Sequence, residues 1–322
     1  MEPRVPGSTK LVSSAIGLGC FGFTGAYGGP GLDRAVSVIR MALDLGITLL
    51  DVADFYAGGA VEEQIAAAVA GRHDEVLIAT RGGLRFTQVG KVTQTDGSPG
   101  YLTAACEASL RRLGTDHIDL YSLAKVDPQV PVEESVGALA QLVRAGKVRH
   151  IGLPAIPRDM LRRAYAEHPI AAVAGEYSLW ERGVERGVLA AARELAICFL
   201  ACRPLGRGFL TGQITMRSQL AEGDLRWSDP RFTEESLRRN REILRAAETM
   251  ASHRDLSTGR LALAWLLAQG DDIVPLPGSC QPTHVEMNAS ALRVRLSADE
   301  CREIAALFPL NPRRRCGGAA PG

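Results

Sequence analysis

An α/β fold, a closed (β/α)8 TIM barrel, is what this sequence predicts, on three observations. Eight short apolar runs rich in β-formers alternate with longer segments of helical period. No Pro/Gly/Ser-rich linker separates them. A length of 322 residues is one that a single α/β barrel can fill.

The strand candidates, in order, are 14–20 (SAIGLGC), 47–52 (ITLLDV), 75–80 (EVLIAT), 117–123 (HIDLYSL), 147–153 (KVRHIGL), 170–176 (IAAVAGE), 196–202 (AICFLAC) and 272–277 (DIVPLP). After the first, DRAVSVIRMALDLG places apolar residues at steps of three and four and closes on glycine, the pattern of an amphipathic helix. Leu102 to Leu113 and Glu133 to Ala145 read the same way. The stretch 211–231 is the longest irregular one and is placed to carry an insertion over the barrel mouth. GLGCFGF fits the letters of G-x-G-x-x-G, yet no helix opens on its last glycine, so it reads as a flexible loop and not as a dinucleotide fingerprint. Residues 1–310 are expected to form one domain, and 311–322, with three consecutive arginines, a disordered tail.

Composition narrows the function classes. A hydrophobic fraction of 46% with net charge +1 describes a soluble chain with a large core, and offers nothing to nucleic acid or to a membrane surface. Seven cysteines without a C-x-x-C pair suit reduced thiols in a cytoplasm. No secretory signal is visible, and the apolar runs are too short to span a bilayer. No histidines stand at metal-ligand spacing. A small molecule is therefore the expected partner, with oligomeric state left open.

In such a barrel, chemistry sits at the C-terminal ends of the strands. That rule nominates Asp51 with Tyr56, Arg81, Ala124 with Lys125, Pro154 with Ala155, Ala174 with Gly175, Cys202 with Arg203, and Ser279 with Cys280.

The segment GITLLDVADFYAGGAVEEQI resembles the aldo-keto reductase signature, an Asp at a strand end followed by Tyr five residues later. The resemblance continues through RRLGTDHIDLY, VRAGKVRHIGL, EYSLW, PLGRGFLTG and LALAWLLAQGDDIVPLPG, and so covers nearly the whole chain. It implies a (β/α)8 barrel that reduces carbonyls with NADPH and without metal. It also implies four catalytic groups: a Tyr that donates the proton, a Lys that lowers its pKa, an Asp that holds the Lys, and a His that orients the carbonyl. Asp51 and Tyr56 match. Arg81 stands in the place of the Lys, and Ala124 in that of the His. Arg81 is expected to pair with Asp51 and to favour phenolate at Tyr56, although a planar guanidinium is no simple substitute for an ammonium.

The positions that would grip the cofactor depart further. Pro154 and Ala155 stand where the family has its polar pair after the fifth strand, and Ala174 where it has Gln. Cys202 replaces the stacking aromatic, and Cys280 lies in the run that would hold the 2′-phosphate; Asn288 survives near the adenine end. Each lost contact is worth on the order of 1–3 kcal/mol. From this the expectation is a site without NADPH, in which Tyr56, Asp51 and Arg81 do non-redox acid/base work: elimination, isomerisation, epimerisation or cyclisation of a small, anionic intermediate. Ala124, Lys125, Trp180, Arg203 and Trp227 are the candidate substrate contacts. The alternatives are an NADPH-dependent reductase with an atypical site, and a non-catalytic binding relative.

Overall fold

The computed structural model describes residues 11–87 and 90–308, with the backbone of 3–4. Eight parallel strands form one sheet. They are β1 (Leu18–Gly19), β2 (Leu49–Asp51), β3 (Leu77–Gly82), β4 (Ile118–Leu123), β5 (Val148–Pro154), β6 (Ile170–Glu176), β7 (Cys198–Cys202) and β8 (Ile273–Leu276). Each pairs with its neighbours in chain order. The ends of the sheet meet where the Gly17 amide donates to the Pro275 carbonyl (2.9 Å) and the Gly19 amide to that of Pro277 (3.2 Å). The fold is the expected (β/α)8 barrel, and every predicted run contains one strand.

The first run differs in extent. Its first residue, Ser14, belongs with Ser13 to a short strand that pairs antiparallel with Pro3–Arg4 instead. The closing seam explains the rest. A Cβ on Gly17 would lie 2.6 Å from the Leu276 side chain, and one on Gly19 only 2.8 Å from the Leu276 carbonyl oxygen. Glycine alone lets the backbones approach this closely. The following Cys20–Thr24 is a 3-10 turn with Cys20 and Phe23 buried, not the flexible loop the glycines suggested.

Helices fill the crossovers. In α1 (Ala35–Asp44) the buried positions Ala35, Val38, Ile39, Ala42 and Leu43 fall on one face. Further helices are α2 (Ala60–Val69), α3 (Pro99–Leu113), α4 (Val132–Arg144), α5 (Arg158–Glu167) and α6 (Val188–Glu194). They are followed by α7 (Glu234–Ser252), α8 (Thr258–Leu267), α9 (Pro282–Ser290) and α10 (Ala298–Leu307). In α3, Pro99 opens the helix and left-handed Gly114 closes it, its amide donating to Leu110.

The core has two shells, set by the two-residue period of the strands. Leu49, Leu77, Ala79, Leu120, Cys198, Leu200 and Val274 fill the barrel interior, while Leu50, Ile78, Tyr121 and Phe199 meet the helices. The interior is thus plugged with side chains, each worth about 1.5–3 kcal/mol when fully buried and large. One step further along the inward positions come Asp51 on β2 and Arg81 on β3, which the plug presents to the mouth. Among the described residues, no helix is long and apolar enough to cross a membrane, and no cluster of His, Cys, Asp and Glu could hold a metal ion. The expected tail, 311–322, lies outside the described residues.

Candidate active site

The mouth begins with an ion pair. The Arg81 guanidinium donates to Asp51 Oδ1 and, through Nε, to the Val52 carbonyl at 3.3 Å. It also lies beside the thiol of Cys202, at the end of β7, whose electrostatics it shares. Burial pushes the Asp51 carboxyl up and Arg81 pulls it back. Burial works against the Arg81 charge, but Asp51, Tyr56 and Cys202 together outweigh it, so the guanidinium is held protonated.

Tyr56 stands over this pair. A backbone bond from the Tyr56 amide to Ala53 (3.1 Å) turns the chain after β2. Ala57, Gly58 and Gly59 then take left-handed conformations in succession before α2 begins. Ala57 bears a strain of about 1–2 kcal/mol for this. At Gly59 any side chain would strike Arg112, at 2.6 Å. The ring of Tyr56 is only 9% exposed, packed edge-on against Phe21 (5.2 Å between centroids) and Phe55 (5.1 Å). Burial raises its phenol well above the ordinary value; Arg81 opposes the rise and Asp51 adds to it. Arg81 thus pulls toward phenolate, as expected, but desolvation wins, and the hydroxyl keeps its proton.

A second charged layer closes the mouth beyond β6 and β7. Glu176 ends β6, in register with Cys202. Its Oε1 accepts from Arg231 at 2.5 Å and its Oε2 from Arg203 at 3.4 Å. Burial would push this carboxyl up, but Arg231 and Arg203 hold it below its usual range. Arg231 belongs to the long irregular stretch and also forms a bidentate pair with Asp229, Nε donating to Oδ1 and Nη2 to Oδ2. That stretch is built of three 3-10 turns and is clamped to the barrel by this network. Arg207 lies beside it, 3.5 Å from Asp229, with a buried Nε that has no hydrogen-bond partner among the described residues. Gly206, Arg207 and Gly208 are consecutively left-handed.

The remaining candidates are placed as follows. Ala124 continues β4, its amide donating to the Gly82 carbonyl at 2.8 Å, and follows Ser122 on the inward side. Lys125 is exposed just past it. Pro154 and Ala174 pair across β5 and β6, and the Ala155 amide donates to the Ala174 carbonyl. Cys280 is half-buried against the 3-10 turn after β1, near Gly22, and burial raises its thiol. Asn288 is a half-buried residue of α9. Trp180 stacks on Phe209 (4.0 Å) and carries the Arg231 guanidinium over its ring (5.3 Å), contacts that anchor the long stretch. Trp227 is exposed, under the guanidinium of Arg217, and its indole N–H donates to Ala221. Glu176, Arg207, Arg231 and the Cys202–Arg81 contact were missed in the sequence. A charged residue ending the apolar run IAAVAGE was the available signal for Glu176.

Comparisons with known proteins agree with this geometry. A profile of the aldo/keto reductase family matches residues 15–308. A protein named probable aldo-keto reductase 1 from Glycine max is 38% identical over 312 residues, covering 96% of this chain and 90% of its own. An aldo-keto reductase of Schizosaccharomyces pombe, whose name carries NADP(+), is 40% identical over 295 residues, 90% of this chain and 87% of its own. The solved structure of a glycerol dehydrogenase from Gluconobacter oxydans superposes with a TM-score of 0.87 at 28% identity, covering 98% of both chains. The expectation of a cofactor-free enzyme does not survive the relative that carries NADP(+) in its name at 40% identity. That expectation counted side chains. Phosphates of a dinucleotide are held in large part by backbone N–H groups, which the side chains at Ala174, Cys202 and Cys280 leave in place.

Proposed function

Because the chain belongs to the aldo/keto reductase family, we propose that it is an NADP(H)-dependent oxidoreductase that reduces the carbonyl of a small molecule, with Tyr56 as proton donor. The observation that carries this reading is the phenol of Tyr56, buried, kept protonated and set over the Asp51–Arg81 pair at the barrel mouth. A proton donor has to hold its proton until the carbonyl oxygen needs it.

The residues present fit the dinucleotide. The buried Nε of Arg207, without a hydrogen-bond partner among the described residues, suits a phosphate-bearing group, and Arg207 would hold it. When bound, the reduced nicotinamide supplies the hydride. The chain's own part is to place the carbonyl against Tyr56, to give up the phenolic proton, and to receive the developing phenolate beside the Arg81 guanidinium. That guanidinium opposes the burial that keeps the phenol neutral, so its attraction grows as negative charge develops on the ring oxygen.

A second reading, elimination, isomerisation or cyclisation by the same phenol, draws on one observation: Ala124 provides no side chain to orient a carbonyl. The relatives favour the reductase. The test is aldehyde-dependent NADPH consumption by the wild type and by Tyr56→Phe. The expected result is turnover in the wild type, reduced about 10²–10⁴-fold in the variant. NADPH consumption that ignores the variant would remove Tyr56 from the chemistry.

A further inference from the structure

We propose that Asp54 is a positioning residue for the proton donor: its neutral carboxyl pins the turn that carries Tyr56 to the outer side of the barrel wall. The proposal rests on the reductase reading for the role of Tyr56, and on the fold alone for the hold on the turn.

The turn needs holding. Ala57, Gly58 and Gly59 are left-handed in succession, at φ 50°, 67° and 98°, and a run of this kind persists only when its surroundings fix it. Both ends of the turn rest on one buried polar cluster. At the near end the Asp54 amide donates to the Arg81 carbonyl at 3.0 Å, and Asp54 as a whole is 1% exposed. A Cβ on Gly82 would lie 3.2 Å from Asp54 Oδ2 and 2.3 Å from the Tyr121 hydroxyl. The absence of a side chain at Gly82 is what lets these two groups in behind β3. At the far end a Cβ on Gly59 would lie 2.6 Å from the Arg112 side chain.

A count of charges fixes the state of the carboxyl. Glu62 of α2 is fully buried and accepts from the Thr80 hydroxyl at 2.6 Å and from Arg112 Nε at 2.7 Å. Arg112 is thereby committed to Glu62, and its Nη2 goes to the Ser109 hydroxyl at 3.2 Å. Two buried carboxyls share one guanidinium, and among the described residues Asp54 is the one without an ion pair. The other ionisable groups facing it are the phenols of Tyr101 and Tyr121, both kept neutral by burial. A carboxyl buried without a counter-charge takes up a proton. Burial first, then Glu62, raise the Asp54 pKa to about 8, against Arg112 and the Phe55 amide. The neutral acid has a proton to donate, and the Tyr121 oxygen beside it has no partner among the described residues. Ionised, Asp54 sets a second negative charge beside Glu62, and the cluster opens to water. Tyr56, two residues on, then loses its place over Asp51 and Arg81.

The experiment follows the turn and the chemistry in the full chain as pH rises from about 7 to about 9. Hydrogen–deuterium exchange of the peptide spanning 52–60, corrected for the intrinsic pH dependence of exchange, reports the turn. NADPH consumption with para-formylbenzoate reports kcat. Across this range a carboxyl with a pKa of about 8 goes from mostly neutral to ionised by about ten to one. Wild-type protection of the turn and kcat are therefore each expected to fall about tenfold. In Asp54→Asn, which stays neutral and keeps a donor, both are expected to hold within about twofold over the same range. Asp54→Ala is expected to lose protection and kcat at both pH values. The kcat readout separates positioning from bulk stability, because a protein that remains folded does not register a tenfold loss of stability in its turnover. Protection that stays flat in the wild type, or falls equally in Asp54→Asn, overturns the proposal. Wild-type protection and kcat in Asp54→Ala overturn it as well. If no NADPH is consumed at either pH the reductase reading falls, and the exchange of the turn still decides whether Asp54 holds it.

Discussion

At the scale of single residues, the site is a buried charge problem. Asp51 and Arg81 are both largely removed from water and are tolerated because they face each other. Replacing one partner leaves the other buried and uncompensated. Arg81→Ala is accordingly expected to destabilise the fold by about 3–5 kcal/mol, measured by urea unfolding, and a change under 1 kcal/mol would show that Asp51 is not confined as described. Asp51 and Tyr56 were legible in the sequence because their five-residue spacing is local. Cys202 was legible only as a small apolar residue. Its contact with Arg81 joins residues from strands on different sides of the barrel, and no local pattern encodes that. The net shift of the phenol was illegible for the same reason, since the pull of Arg81 was visible in the sequence and the burial of the ring was not.

At the scale of elements, the eight strands were legible because each is a short apolar run, and because the two-residue period points Asp51 and Arg81 inward. The first strand was overextended. Its glycines are there for the seam with β8, where Gly17 and Gly19 meet Leu276 and where a Cβ on Gly278 would lie 2.5 Å from the Gly19 carbonyl. Backbone atoms cannot swing aside as side chains can. Gly19→Ala is expected to cost about 1–3 kcal/mol in unfolding free energy, and a neutral substitution would mean that the barrel is not closed at this point. The stretch 211–231 read as irregular and is so, but its attachment was invisible: Arg231 and Glu176 are 55 positions apart.

At the scale of the whole molecule, stability is tied to pH through a carboxyl away from the mouth. Asp54 is buried, and burial first, then the nearby Glu62, raise its pKa to about 8, against the pull of Arg112. Its Oδ1 and the buried Tyr121 hydroxyl have no hydrogen-bond partners among the described residues. The folded protein keeps this proton up to about pH 8, whereas the unfolded chain releases it near the ordinary value of about 4. Between those limits the folded state binds more protons, so its stability falls as pH rises. The urea midpoint of the wild type is expected to drop from about pH 5 to about pH 8, and that of Asp54→Asn to drop less. Asp51, also raised by burial, contributes with the same sign in both proteins. Identical slopes in the two would show that Asp54 titrates normally.

The central proposal is reduction with NADP(H) at a mouth built on Tyr56, Asp51 and Arg81. It is tested most directly by following deuterium from NADPH labelled at the reactive nicotinamide carbon, with para-formylbenzoate as acceptor. The label is expected on the carbinol carbon of the product alcohol. Label that stays in the cofactor while the substrate is converted to another product would contradict it.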